Sequence, residues 1–143
     1  VYDVGREKIR EFARAVKATH PAHFDVEAAA ALGHRDLVAP PTFAIIVAQR
    51  ADAQLIEDPD SGIDFSRVVH ADQRFIHHRP IVAGDRLVAE LHVDGVRAMG
   101  GGAMITTRSE IFALTAGAGS VGDDPREAVA TATSSILVRG EGQ

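Results

Sequence analysis

The 143-residue sequence has no cysteine and no tryptophan. Without cysteine there is no disulfide framework, no thiolate metal site and no cysteine nucleophile. The absence also fits a reducing compartment, so a cytoplasmic location is expected. Aromatic residues make up 5% of the chain, too few for a base-stacking platform. The formal net charge of −5 is the wrong sign for a nucleic-acid footprint. Long apolar runs are missing too. The longest, Phe43 to Ala48, is interrupted by Gln49 and Arg50, far short of the roughly 20 residues a membrane span requires. Neither nucleic acid nor a membrane is therefore an expected partner. No secretory signal is visible, and the chain opens at Val1 already inside an element-like pattern, so residues are expected upstream.

What remains is the composition of a globular protein of about one ordinary domain, 45% hydrophobic and 24% charged. Gly5 to Val16 has helical periodicity. Ile9, Phe12, Ala13 and Val16 recur at spacings of three and four, with Arg6, Lys8, Arg10, Glu11 and Arg14 opposite. His20-Pro21 breaks the pattern, because proline disfavours helical backbone in the residue before it. Asp25 is placed to cap a short alanine-rich helix, Val26 to Leu32, which Gly33 closes. After Pro40-Pro41, Thr42 to Ile56 forms the most apolar helix, with Phe43, Ile45, Ile46, Val47 and Ala48 nearly encircling its start. Such a helix is expected to be buried.

The period then changes. Asp58 to Gly62 is a turn cluster. Four strand-like stretches follow, Arg67 to His78, Arg86 to Val96, Ala103 to Leu114 and Ala128 to Val138. Gly84-Asp85, Gly100-Gly101-Gly102 and Gly117 to Asp124 supply turns. No internal repeat or long linker interrupts the order. The expected class is α+β in one domain, an antiparallel sheet wrapped around a long central helix.

Three segments, in this order, carry a family resemblance. The first runs from Val16 to Asp25 and includes Thr19-His20-Pro21-Ala22-His23-Phe24-Asp25. The second is Gly33 to Phe43, ending Val38-Ala39-Pro40-Pro41-Thr42-Phe43. The third is Val69 to Phe75 running into Arg79-Pro80-Ile81-Val82-Ala83-Gly84-Asp85. Together they resemble the MaoC-like (R)-specific hydratase/dehydratase family, which has the hot-dog fold. With Gly5 to Phe12 they look most like the actinobacterial subgroup of (3R)-hydroxyacyl-carrier-protein dehydratase subunits. The resemblance implies an acyl-coenzyme A or acyl-carrier-protein thioester as ligand, and a homodimer or a heterodimer with a second hot-dog chain. It implies neither cofactor nor metal.

Reversible hydration of a 2-enoyl thioester needs a held and deprotonated water, a proton donor at the α-carbon, and fixed donors facing the thioester oxygen. The family supplies an Asp and a His for the water, and a backbone N–H at the start of the central helix for the oxygen. Carried over position by position, the His is His23, the Asp falls on Ala18, the Asn on His20 and the second Asp on Asp25. The oxyanion glycine falls on Pro41, which has no N–H. The resemblance thus implies His23, with His20 beside it, as candidate catalytic residues, and Val38, Ala39, Pro40, Pro41, Thr42 and Phe43 as the substrate-binding stretch. His20 or Asp36 could stand in for the missing carboxylate, and the N–H of Thr42 or Phe43 for the missing donor.

Three functions follow as alternatives. The chain is a dehydratase or hydratase, or an acyl-binding partner subunit lacking the catalytic Asp. The third is a hot-dog acyl thioesterase, for which Asp52 and Glu57 are the candidate carboxylates. His77-His78 with His70 offers no metal-ligand spacing, since adjacent strand residues point to opposite faces.

Overall fold

The structure, a computed structural model, describes residues 1–63, 65–114 and 126–140. The turn expected at Gly117 to Asp124 lies outside them. A short strand β1 (Tyr2–Asp3) leads into helix α1 (Arg6–Ala15), a 3₁₀ turn (Pro21–His23) and helix α2 (Val26–Ala31). The central helix α3 (Ala44–Ile56) precedes four long strands, β2 (Val68–His77), β3 (Arg86–Met99), β4 (Gly102–Leu114) and β5 (Arg126–Val138). All pairings are antiparallel, in the order β1-β3-β4-β5-β2.

Local chemistry accounts for the boundaries. Helix α1 stops at Ala15, one residue before the expected end, and Lys17 then adopts left-handed backbone with φ 59°. The turn away from α1 is therefore made before His20-Pro21 is reached. Asp25 caps α2 as expected, its carboxylate accepting from Glu27 N at 2.9 Å, and Gly33 follows with φ 89°. Helix α3 begins two residues later than the sequence suggests. Its entry is instead a tight turn, with Phe43 N donating to the Pro40 carbonyl at 2.9 Å and Ile45 N to that of Thr42 at 3.1 Å. The β3–β4 hairpin turns through Gly100 and Gly101, both with positive φ.

The core lies between α3 and one face of the sheet. Phe43, Ile9, Leu37, Leu87, Ile111 and Val129 are its largest sealed apolar side chains. Phe43 meets Phe12 and Tyr2 edge-on, with centroids 5.4 and 6.4 Å away, and so joins α1 and β1 to the start of α3. Along β4, Ile105, Thr107, Ser109, Ile111 and Ala113 are buried while their alternate neighbours are not, the period of a sheet with one covered face.

A second organising feature is polar. The Asp85 side chain is 2% exposed and accepts from Val82 N at 2.9 Å, from Arg79 at 2.9 and 3.1 Å, and from Arg35. Around it, Val4 N donates to the Asp85 carbonyl, and Ala39 N and Ala83 N bond to the carbonyls of Ile81 and Leu37. The Asp85 carboxylate thus ties the loop before α3 to the turn before β3, and its backbone carbonyl holds the residue after β1. Asp85→Ala orphans the buried Val82 amide, while Arg79 keeps Glu127 and the Pro80 carbonyl, so the expected loss is about 1–3 kcal/mol. Urea denaturation checks this, and a loss below about 1 kcal/mol would contradict it.

Candidate functional site

The segment bearing the two candidate histidines is fixed by backbone contacts. His20 precedes the 3₁₀ turn, and its Nδ1 accepts from Ala22 N at 3.1 Å. His23 Nδ1 lies 2.7 Å from the Val38 carbonyl. That carbonyl can only accept, so His23 Nδ1 carries a proton and, in the neutral ring, Nε2 is the lone-pair nitrogen. His20 is the opposite tautomer, with Nδ1 as acceptor and Nε2–H as donor. The rings meet edge to face with centroids 6.1 Å apart. The sequence-predicted pair is therefore brought together, one ring offering a base and the other a donor.

The carboxylate expected to swing in does not do so. Asp36 holds Arg6 through two bonds of 2.9 Å and accepts from Leu37 N at 2.7 Å. The Arg6 guanidinium keeps the Asp36 carboxyl below its ordinary range. Its partner is an arginine on α1, not a histidine. Asp25 is likewise committed, as the cap of α2, and Ala18 contributes only a methyl group. Among the described residues His23 thus has no carboxylate as a hydrogen-bond partner.

Of the stretch expected to border substrate, Val38 bridges Val82 and positions His23. Ala39 and Pro40 are buried, Pro41 and Thr42 exposed. Phe43 is fully buried, so its side chain supports the site from beneath rather than facing a ligand. Its N–H is taken by the Pro40 carbonyl. That leaves Thr42 N, which makes no hydrogen bond among the described residues, as the donor where the oxyanion contact was expected.

A cavity of about 600 Å³ runs along the rest of α3. Ile45, Gln49, Asp52, Ala53, Ile56 and Glu57 form its helix wall, and Val68, His70, Ser134 and Ile136 form the sheet wall. Its near end, Ile45, is less than one turn beyond Thr42. The sequence reading named only Asp52 and Glu57 here, as thioesterase candidates, and missed the cavity, although Ile45, Gln49, Ala53 and Ile56 follow helical spacing. Asp52 is 8% exposed, and Thr107 Oγ1 donates to its Oδ1 at 2.9 Å. Burial pushes the Asp52 carboxyl up from its usual range, and the Thr107 bond and nearby His70 only partly oppose this. Glu57 stands exposed at the rim.

His77 stacks on Phe75, whereas His78 approaches Thr131 Oγ1 at 3.2 Å, so the two neighbours diverge. No cluster able to hold a metal ion occurs among the described residues. No described helix is long and apolar enough to cross a membrane.

A curled five-stranded antiparallel sheet around one helix is the hot-dog fold. It is shared with a double-hotdog protein of Mycobacterium tuberculosis at a TM-score of 0.66, 22% identity and coverage of 90% of this chain and 34% of that one. Residues 1–114 match the family described as FAS1-like, dehydratase domain region, and the chain belongs to that family. A UPF0336 protein of Leifsonia xyli is 53% identical over 140 residues, 98% of this chain and 87% of that protein. Among solved structures, the HadBC (3R-hydroxyacyl-ACP dehydratase) complex of Mycobacterium tuberculosis aligns with a TM-score of 0.77 and 40% identity, over 95% of this chain and 88% of that one. A MaoC-like dehydratase aligns with a TM-score of 0.78 and 33% identity, over 98% of this chain and 39% of that one.

The raised Asp52 pKa sets a pH dependence. Its contribution to stability is fully present below the unfolded-state pKa and is lost as pH rises through the folded-state value, where a buried charge must form. Asp52→Asn keeps an acceptor for Thr107 and removes that charge. Its urea midpoint is expected to exceed the parent's at neutral pH and to converge with it in acid. Parallel curves for the two across the acid range would refute this.

Proposed function

We propose that this chain is the acyl-binding subunit of a two-chain hot-dog dehydratase acting on (3R)-hydroxyacyl thioesters of coenzyme A or acyl-carrier protein. The observation that carries the reading is a mostly apolar cavity of about 600 Å³ along α3, whose lining begins at Ile45, three residues after Thr42. The volume lies in the range of sites that enclose a small-molecule ligand. The thioester end would lie at Thr42 and the chain would pass Ile45 into the cavity. The similarity to a chain of the HadBC complex supports a partnered arrangement.

Catalysis by this chain alone is the weaker reading on physical grounds. His23 has a base face but no carboxylate to hold the water with it. Pro41 removes one oxyanion donor, and such a loss costs roughly 10²–10³-fold in rate. The second reading, a self-sufficient hydratase, is favoured by one observation. His23 Nε2 and His20 Nε2–H make no hydrogen bond among the described residues, and the two rings lie edge to face with centroids 6.1 Å apart.

The partner would pair along β2. This ten-residue strand lies at the sheet edge, bonded on one side by β5, with Val69 and Ile76 exposed. An unpaired edge of this length invites another strand. Val68 and His70 of β2 also line the cavity, so a second hot-dog chain on this edge would flank its mouth.

Hydration of crotonyl-coenzyme A, measured for this chain alone and after mixing with a homologous hot-dog chain that carries an Asp–His pair, tests both readings. The expected result is silence alone and turnover in the mixture, with His23→Ala leaving the mixed activity within about threefold. Turnover by the isolated chain that falls at least about 100-fold in His23→Ala would replace the first reading with the second. Release of free thiol would instead mark a thioesterase. Ala18→Asp in the isolated chain is expected to stay at least about 100-fold below the mixture, since Pro41 still lacks its donor.

A further inference from the structure

The cavity wall contains one group that a plain hydrocarbon chain would not use. Asp52 lies mid-helix, and Thr107 donates to Oδ1. Oδ2 has no hydrogen-bond partner among the described residues. Every fully enclosed side-chain nitrogen or oxygen among them does have one, so Oδ2 is not sealed in the protein and opens on the cavity that Asp52 lines. The other polar wall groups are committed or peripheral. Ser134 Oγ donates to Gln73 Oε1 at 2.6 Å, His70 Nε2 lies 3.0 Å from the Asp72 carbonyl, and Gln49 and Glu57 are exposed.

An alkyl chain filling this space would strip water from Oδ2 and return nothing, leaving a desolvated acceptor without a donor. A chain with a hydroxyl at that depth would satisfy it. An ammonium would bring three donors and a charge that must itself be desolvated, while at that depth the enclosed wall offers it only Asp52 Oδ2, and it is the poorer match. We propose that the cavity selects an aliphatic chain carrying a hydroxyl group well away from its thioester end, with that hydroxyl donating to Asp52 Oδ2. The proposal deepens, and rests on, the acyl-binding reading above. Asp52 is then a specificity residue that distinguishes oxygenated from plain chains. The reacting groups at the head of α3 do not see that difference.

Calorimetric titration of the whole chain with dodecanoyl-, 6-hydroxydodecanoyl- and 12-hydroxydodecanoyl-coenzyme A tests this. At least one hydroxylated thioester is expected to bind about tenfold or more tightly than the plain one. In the paired variant Asp52→Leu with Thr107→Val both polar partners become apolar, so no buried hydroxyl is orphaned. There the preference is expected to vanish or reverse. Should that variant fail to give a cooperative melt, Asp52→Asn serves instead. It keeps an acceptor for Thr107, turns an amide donor toward the cavity, and is expected to gain affinity for the ketone 6-oxododecanoyl-coenzyme A.

Equal binding of plain and hydroxylated thioesters by the unaltered protein would overturn the proposal and leave the acyl-binding reading standing. A preference that persists in the paired variant would do the same. Failure of every thioester to bind would sink the acyl-thioester reading. Dodecanoic and 12-hydroxydodecanoic acids would then decide the cavity on their own. A hydroxyl preference that depends on Asp52 would uphold the proposal, and equal or absent binding would end it.

Discussion

The buried carboxylate of Asp85 is the constraint on which the head of the candidate site depends. Its cost is met by two guanidinium groups and a backbone amide. The order it imposes passes outward through backbone bonds. Residues 81–83 are held in place, they bond residues 37–39, and Val38 then offers its carbonyl to His23. The tautomer of His23 is a remote consequence of an aspartate in a turn more than 60 residues away. A buried ion pair is weak evidence for net stability but strong evidence for a defined arrangement once the charge is enclosed, because every loss of a partner is expensive.

The two halves of the candidate site rest on different physics. Its head is built from loops and hydrogen bonds, where Pro41 subtracts a donor and Ala18 a carboxylate. Its body is built from the apolar face of α3 against the sheet, where packing leaves a space that the side chains do not fill. On the proposed reading, a weakened head and an intact body equip the chain to hold a ligand more than to transform it, and the β2 edge gives a second chain a place to supply what is missing.

Much of this was legible in the chain itself. Alternation along β4 and the 3.6 period of α1 are properties of consecutive residues, as are the cap at Asp25 and the turn at Gly33. The pairing of His20 with His23 was also legible, because a separation of three across a proline leaves few places for the two rings. Where the reading failed, the missing information was non-local. Asp36 looked available until Arg6, thirty residues away, was found to hold it. Phe43 was taken for a ligand contact because of its neighbours, yet Phe12 and Tyr2 enclose it. The start of α3 moved by two residues because the turn after Pro40 closes its own hydrogen bonds first.

The sequence by itself determined the class of fold and the order of its elements, since periodicity, capping and turn chemistry act over a few residues and survive without a partner. It also determined that Pro41 has no N–H and Ala18 no carboxylate to offer, at the positions where the family resemblance implies them, since neither depends on the fold. Only the tertiary structure decided that a cavity exists, that Asp52 opens on it, and that Thr107 takes one of its oxygens. Those facts arise where a helix meets strands more than fifty residues distant. Which atoms are left without partners there depends on how two surfaces pack, and no local pattern records it.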